Sequence, residues 1–106
     1  MSQQKIFAQL CTRFNLPEPQ PEYRFDPKRR WRIDYFFHDT QTGRKVALEV
    51  EGGAWTAGRH TRGAGFVKDM EKYNALSAAG IALVRVVPKD LMKLATIQTI
   101  QKTLFQ

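Results

Sequence analysis

The feature that most constrains the fold of this chain is a pair of alternating stretches, Arg32–His38 (RIDYFFH) and residues 45–51 (KVALEVE). Alternation of apolar and polar side chains is typical of a half-buried β-strand. The polar segment between them contains a glycine and is short enough to close an antiparallel hairpin. Placing His38 opposite Lys45 gathers the apolar side chains on one face, and a shift by one residue would expose them. The pairs predicted on that face are Ile33 with Val50, Tyr35 with Leu48 and Phe37 with Val46.

The same register places Asp34 directly opposite Glu49. Two opposed carboxylates repel each other unless a cation lies between them. Mg²⁺ prefers such oxygen ligands, with water and substrate phosphate completing its coordination. Glu51 lies on the same strand face, about 7 Å further along at the usual rise per residue, as a further ligand or a base for water. The alternative is that both carboxylates are surface groups paired with arginines such as Arg30 or Arg32.

Length and composition predict a single domain, residues 1–106, that is large enough to bury one core. No apolar run approaches the roughly 20 residues needed to span a bilayer, so no membrane partner is expected. The N-terminal segment MSQQKIFAQL does not resemble a signal peptide. Cys11 is the sole cysteine, which excludes an internal disulfide and favours a cytoplasmic protein.

The net charge of +7, from 17 basic and 10 acidic residues, suits a polyanionic partner. Five cations surround Trp31 in the basic segment, which we define as residues 24–32: Arg24, Lys28, Arg29, Arg30 and Arg32. Arg59 and Arg62 lie in a glycine-rich stretch before a predicted helix, where guanidinium groups suit phosphate. His60 between them is a general acid or base, a phosphate contact or a loop residue. For the basic segment, the alternative is a solvated loop.

The remaining pattern predicts a helix over residues 2–14 that is capped by Ser2, followed by a short edge strand at 23–25. After the hairpin it predicts a helix over 65–79, with Gly80 as its stop. The nearly continuous apolar run 81–87 predicts a central strand covered on both faces, and Pro88 can begin a last helix. The predicted apolar helix faces are Ile6, Phe7, Leu10 and Phe14; Phe66, Met70, Tyr73 and Leu76; and Leu91, Leu94, Ile97 and Leu104.

A strand–helix–strand unit within one sheet is parallel and right-handed. We therefore expect an α/β domain in which helices flank a mixed β-sheet, an antiparallel hairpin plus one parallel crossover. Ligands of such sheets bind beyond the carboxyl ends of the parallel strands, where Glu49, Glu51 and the glycine-rich stretch fall.

The segments RIDYFF, ALEVEGG, the glycine-rich stretch with His60, and DMEKYNALSAAGIALVRVVP resemble, in their order and strand placement, the PD-(D/E)xK nuclease superfamily. The resemblance covers residues 31–91 and is to small phage and bacterial members related to very-short-patch-repair endonucleases and Holliday-junction resolvases. It implies a restriction-endonuclease-like fold and hydrolysis of DNA phosphodiesters with Mg²⁺ or Mn²⁺. Asp34, Glu49 and the backbone carbonyl of Val50 are then the implied metal ligands.

The chain departs from this family where a lysine is expected, because position 51 is Glu51. Some members carry a second glutamate there and others supply the lysine from the following helix, which here offers Lys72 or Lys68. Lys72 can alternatively pair with Asp69 on the helix surface. The family's acidic residue on the first helix is also missing, and Glu22 is the nearest candidate.

The resemblance therefore implies a set of catalytic residues and a set of DNA contacts. The catalytic set is Asp34, Glu49, Glu51 and Lys72, and the DNA contacts are Arg29, Arg30, Arg59, His60, Arg62 and Lys68. An alternative is a non-catalytic nucleic-acid-binding module that retains the fold, and a further one is an accessory protein whose basic face docks another protein. A homodimer is plausible for recognition of branched DNA. Arg85 is interpreted as a structural charge, and Trp31 and Trp55 as core or base-stacking residues.

Overall fold

A computed structural model of the chain describes residues 2–52 and 64–106. The helices are α1 (Gln3–Arg13), α2 (Ala64–Ala78) and α3 (Leu94–Phe105), and the strands are β1 (Gln20–Arg24), β2 (Arg32–His38), β3 (Lys45–Val50) and β4 (Ile81–Val86). The four strands form one sheet in chain order. β1 and β3 run antiparallel to β2, and β4 runs parallel to β3. The predicted α/β domain with a hairpin and one parallel crossover is confirmed. Its restriction-endonuclease-like character stays a prediction.

The predicted hairpin register is confirmed over four pairs, from His38–Lys45 to Tyr35–Leu48. The single apolar face predicted for β2 is wrong at Ile33, which packs with Phe36 rather than with Tyr35. The alternation breaks because β1 and β2 change face together at one point. Glu22 has a left-handed φ of 49° and lies between two regular pairs with β2. Asp34 is the residue of β2 that lies opposite Glu22, between the paired residues Tyr35 and Ile33.

The two sheet faces carry separate cores. On one face α1 and α3 pack against β2 and β3, through residues that include Phe7, Phe37, Val46, Ile97 and Leu104. On the other face α2 packs through Leu76 against Ile33, Phe36, Ala47 and Ile81. Helices therefore flank both faces, as predicted. No helix within residues 2–52 and 64–106 combines the length and apolar character needed to cross a membrane.

The helices begin and end largely where the sequence predicts, although some of their apolar faces differ. The hydroxyl of Ser2 caps α1 by accepting a hydrogen bond from the Lys5 N–H at 3.2 Å. In α1 the buried residues are Phe7 and Cys11, which lie four positions apart and therefore on the same face of the helix. Ile6 lies off that face and is exposed.

Two more apolar positions are wrong: Met70 in α2 and Leu94 in α3 are exposed. Pro88 begins a short 3-10 turn, Pro88–Asp90, and α3 begins only at Leu94. α2 ends before Gly80, whose φ of 74° supplies the predicted left-handed stop.

β4 is an edge strand, so the prediction of a central strand is wrong. Within the described ranges it pairs only with β3, on one side. Its apolar character has another cause, because Val84 and Val86 pack on one core while Leu83 packs on the other. Both faces are thus covered in part, the outer edge pairs with no other strand of residues 2–52 and 64–106, and Arg85 is exposed.

Candidate functional site

The two predicted acidic residues meet where the regular pairing of β2 with β3 ends. The backbone N–H of Asp34 donates to Glu49 Oε1 at 3.0 Å, and the N–H of Val50 donates to Asp34 Oδ2 at 2.7 Å. Each carboxylate therefore accepts a hydrogen bond from the backbone of the opposite strand. Such charge-assisted bonds are short and strong, and they fix the orientation of both carboxylates.

Lys72 joins this pair from α2. Its Nζ lies 3.0 Å from Glu49 Oε2, and the two side chains are only 16% and 11% exposed. Leu76, one turn later on the same helix face, is buried against the sheet and so holds Lys72 above the strands. The ion pair of Lys72 is with Glu49 rather than with Asp69, the alternative partner. We call Asp34, Glu49 and Lys72 the carboxylate site.

Burial and Lys72 shift the pKa of the Glu49 carboxyl in opposite directions. Burial raises the pKa of the Glu49 carboxyl, and the hydrogen bond and charge of Lys72 lower it by less, so the net shift is upward. The charged form of Glu49 therefore depends on Lys72. In a site so little exposed to water, solvent screens the charge of the ammonium group less than it would on the surface.

Glu51 belongs to a separate group of side chains, the Glu51 cluster, formed with Tyr73 and Arg85. Its Oε1 accepts hydrogen bonds from the Tyr73 hydroxyl and from Arg85 Nε, each at 3.1 Å. The Arg85 guanidinium lies 4.7 Å from the centre of the Tyr73 ring. Burial, followed by the Glu51 charge, raises the pKa of Tyr73 to about 12, so its hydroxyl stays a donor at neutral pH.

Consecutive residues of α2 thus hold the two glutamates near the end of β3. Lys72 binds Glu49, and Tyr73 binds Glu51. The sequence predicted Lys72 among its candidates but missed Tyr73, which it assigned only to the apolar face of the helix. The adjacency of Tyr73 to Lys72 is the one signal that could have indicated its contact.

The basic segment is held in a defined conformation beside α2. Asp26 Oδ1 accepts hydrogen bonds from the N–H groups of Arg29 and Lys28, which hold the pKa of Asp26 below its usual value. The Arg29 guanidinium stacks over Trp31 at 4.7 Å, and its Nη1 lies 3.3 Å from Glu71 Oε2. Trp31 stacks in turn on Phe25, at 6.1 Å between ring centres. Because Glu71 precedes Lys72, the basic segment contacts the helix that completes the carboxylate site.

The other predicted DNA contacts divide into two groups. Arg30 and Lys68 are exposed on the surface. Arg59, His60 and Arg62, together with Trp55, lie outside the described residues. Glu22 lines a pocket of about 240 Å³ together with Asp34 and the first residues of α1.

Asp34 and Glu49 suit a divalent cation by their chemistry. Carboxylates and a backbone carbonyl such as that of Val50 are the hard oxygen donors that Mg²⁺ and Mn²⁺ prefer. Three of the four carboxylate oxygens already accept hydrogen bonds from this chain, and Asp34 Oδ1 accepts none from the described residues. No group of three or more His, Cys, Asp or Glu side chains within residues 2–52 and 64–106 is arranged to hold a metal. A cation here would have Asp34 Oδ1 as the one carboxylate oxygen that accepts no hydrogen bond from the described residues, and would take water and phosphate as further ligands.

Comparisons with protein-family models, with curated proteins and with solved structures found no match to this chain.

Proposed function

We propose that this domain is a metal-dependent DNA endonuclease of the PD-(D/E)xK type that hydrolyses phosphodiester bonds, with branched, mismatched and plain duplex DNA as its candidate substrates. One observation carries the proposal: Lys72 Nζ lies 3.0 Å from Glu49 Oε2. Position 51 is a glutamate, so a lysine for this chemistry has to come from another element. α2 supplies one to the carboxylate that the resemblance assigns to the metal.

Each residue of the carboxylate site has a separate role in the proposed hydrolysis. Asp34 and Glu49, with the Val50 carbonyl, would hold Mg²⁺ or Mn²⁺. When bound, this ion supplies polarisation of the phosphoryl oxygen and a lowered pKa for a water ligand.

Water attacks the phosphorus in line and the bond from phosphorus to the leaving oxygen breaks, while the attacking water releases one proton to solvent and the leaving oxygen takes up one from solvent. The Lys72 ammonium stabilises the negative charge that grows on the phosphoryl oxygens, and its burial strengthens this effect. The backbone bonds to Asp34 and Glu49 keep both carboxylates oriented while this happens.

The basic segment is the proposed contact with the DNA backbone. Arg29 is already oriented by Trp31 and Glu71, so binding costs it little side-chain entropy. Arg30 and Lys68 add exposed charge nearby on the same proposed surface. Arg59, His60 and Arg62 complete the proposed set, and a homodimer would give a branched substrate a second copy of this surface.

The test is a cleavage assay with branched, mismatched and plain duplex DNA in Mg²⁺ and in Mn²⁺. We expect Asp34→Asn and Glu49→Gln to abolish cleavage. Lys72→Met should lower kcat by about 10²–10³-fold, the range for losing one preorganised group that stabilises charge. Lys102→Met, which removes an exposed lysine of α3, is the matched control and should leave the rate unchanged. Cleavage that survives both Asp34→Asn and Glu49→Gln would refute the assignment.

A second candidate function is a non-catalytic nucleic-acid-binding module. It is favoured by the protein hydrogen bonds that occupy three of the four oxygens of Asp34 and Glu49, and by Glu51 standing where the family carries lysine. DNA binding that weakens steeply with salt, without cleavage in either metal and with no response to Asp34→Asn, would identify this function. Association with a protein but not with DNA would instead point to the accessory role.

A further inference from the structure

We propose that Arg85 is a phosphate-binding residue of this site and that Glu51 and Tyr73 position its guanidinium. This inference rests on the proposed function, because the phosphate belongs to the bound DNA. The apolar run around Arg85 indicates a structural charge, as interpreted from the sequence alone. Its surroundings in the folded chain lead to a different conclusion.

The first argument is position. The parallel pairing of β3 with β4 makes Arg85 the direct neighbour of Glu49. Paired residues of neighbouring strands point to the same face of a sheet, about 4.8 Å apart. The preceding pair on that face, Ala47 and Leu83, packs on the α2 side. Arg85 therefore lies on the face of the sheet that carries Glu49 and its partner Lys72.

The second argument is orientation. Glu51 holds Arg85 at Nε, and the Tyr73 ring covers one face of the guanidinium. The Tyr73 hydroxyl donates to the same Glu51 oxygen, so the three side chains fix one another. Nη1 and Nη2 of Arg85 donate no hydrogen bond to the described residues. Two parallel N–H donors at the end of a fixed guanidinium match the oxygens of a phosphate group.

The third argument is access. The Arg85 side chain is 49% exposed, whereas that of Lys72 is only 16% exposed. An ion pair as exposed as that of Arg85 with Glu51 contributes at most about 1 kcal/mol to stability. Within residues 2–52 and 64–106, Nη1 and Nη2 of Arg85 are thus open to a ligand, and the ion pair adds little to the stability of the fold.

Glu51 acquires a different role under this inference. The residue that replaces the family's lysine orients an arginine, and neither binds metal nor activates water. Glu51 and Tyr73 are then positioning residues, and Arg85 is the group that touches the substrate.

The test measures duplex DNA binding in Ca²⁺, by fluorescence anisotropy, as a function of salt between about 50 and 200 mM. Loss of one phosphate contact should reduce the slope of log K against log salt by about 0.9 for Arg85→Gln. Affinity should fall about tenfold, as expected for one charge-assisted hydrogen bond. Arg44→Gln removes another exposed arginine, beyond the opposite end of β3, and should leave the slope unchanged.

Two conservative variants separate phosphate binding from positioning. Arg85→Lys keeps the charge, so the slope should be retained while affinity falls, because an ammonium lacks the paired donors. Tyr73→Phe keeps the ring but loses the hydrogen bond to Glu51, so affinity should fall with the slope unchanged. If Arg85→Gln does not fold, Arg85→Lys decides the matter: affinity equal to that of Arg44→Lys would overturn the inference.

The outcomes distinguish this inference from the endonuclease proposal. Equal slopes and affinities for Arg85→Gln and Arg44→Gln, with salt-dependent binding by the unmodified chain, would overturn the role of Arg85 alone. No DNA binding by the unmodified chain would overturn both. A loss of slope specific to Arg85→Gln supports the inference even if the chain proves unable to cleave.

Discussion

Replacement of Lys72 by methionine tests the carboxylate site through the stability of the fold. Methionine keeps an unbranched apolar side chain, so Lys72→Met removes the ammonium with little change in packing. Glu49 then remains buried with one hydrogen bond, from the Asp34 N–H. Removing one partner of a fully buried ion pair costs about 3–5 kcal/mol. Because these side chains retain 16% and 11% exposure, we expect a loss of about 2–3 kcal/mol at pH 7.

The loss should depend on pH in a defined direction. Burial raises the pKa of Glu49, and without Lys72 the pKa rises further. Between the ordinary glutamate pKa of 4.5 and this raised value, the folded variant binds more protons than the unfolded chain. Its stability therefore falls as pH rises through that window, by at most about 1.4 kcal/mol per pH unit. Near pH 4 Glu49 is protonated in both states, and the difference between variant and unmodified chain should nearly vanish.

The assay is urea denaturation followed by far-UV circular dichroism at pH 4 and pH 7. Lys68→Met is the control, since it removes an exposed lysine of the same helix and should change stability by less than about 0.5 kcal/mol. Adding Glu49→Gln to Lys72→Met should recover stability at pH 7 by removing the buried charge. Equal losses at both pH values, or a loss at pH 7 no larger than that of Lys68→Met, would refute the reasoning.

Three further predictions concern the helices and the core that surround the carboxylate site. Ser2→Ala removes the cap on the Lys5 N–H and should lower the free energy of unfolding by about 1 kcal/mol in a denaturant titration, whereas an unchanged value would mean that the cap is dispensable. Gly80→Ala should cost about 1–2 kcal/mol through its φ of 74° alone, because the added methyl meets no atom within 4 Å; a neutral result in thermal melts would contradict this origin. Burial raises the pKa of the Cys11 thiol to about 12, so labelling at pH 8 should appear only as the chain unfolds in urea, and rapid labelling without urea would contradict its burial.

The hairpin was predictable because its determinants are local. Alternation and turn length define the register, and the pairs from His38–Lys45 to Tyr35–Leu48 follow it. The break at Asp34 was not predictable in this way, since Ile33 fits the alternation perfectly. It coincides with the left-handed Glu22 of a different strand, which the alternation within β2 does not encode. The edge position of β4 likewise depends on how many strands the sheet has, and the apolar run of that strand does not carry this information.

In the candidate site, too, the contacts set by local sequence were predictable and those set by long-range packing were not. Asp34 and Glu49 are neighbours across one hairpin, so their adjacency followed from register. The sequence offered Lys72 either the carboxylate site or an ion pair with Asp69, and the burial of Leu76 against the sheet places Lys72 beside Glu49. The cluster of Glu51 with Arg85 was missed because it joins three elements distant in sequence.

The double attachment of α2 to the end of β3 holds the helix at two separate points. Lys72 and Tyr73 tie the helix to Glu49 and Glu51 through different side chains. Removal of one attachment therefore leaves the other to keep α2 beside the strands. A substitution at Glu51 or Tyr73 can in this way alter the surroundings of Arg85 while Lys72 and Glu49 keep their contact.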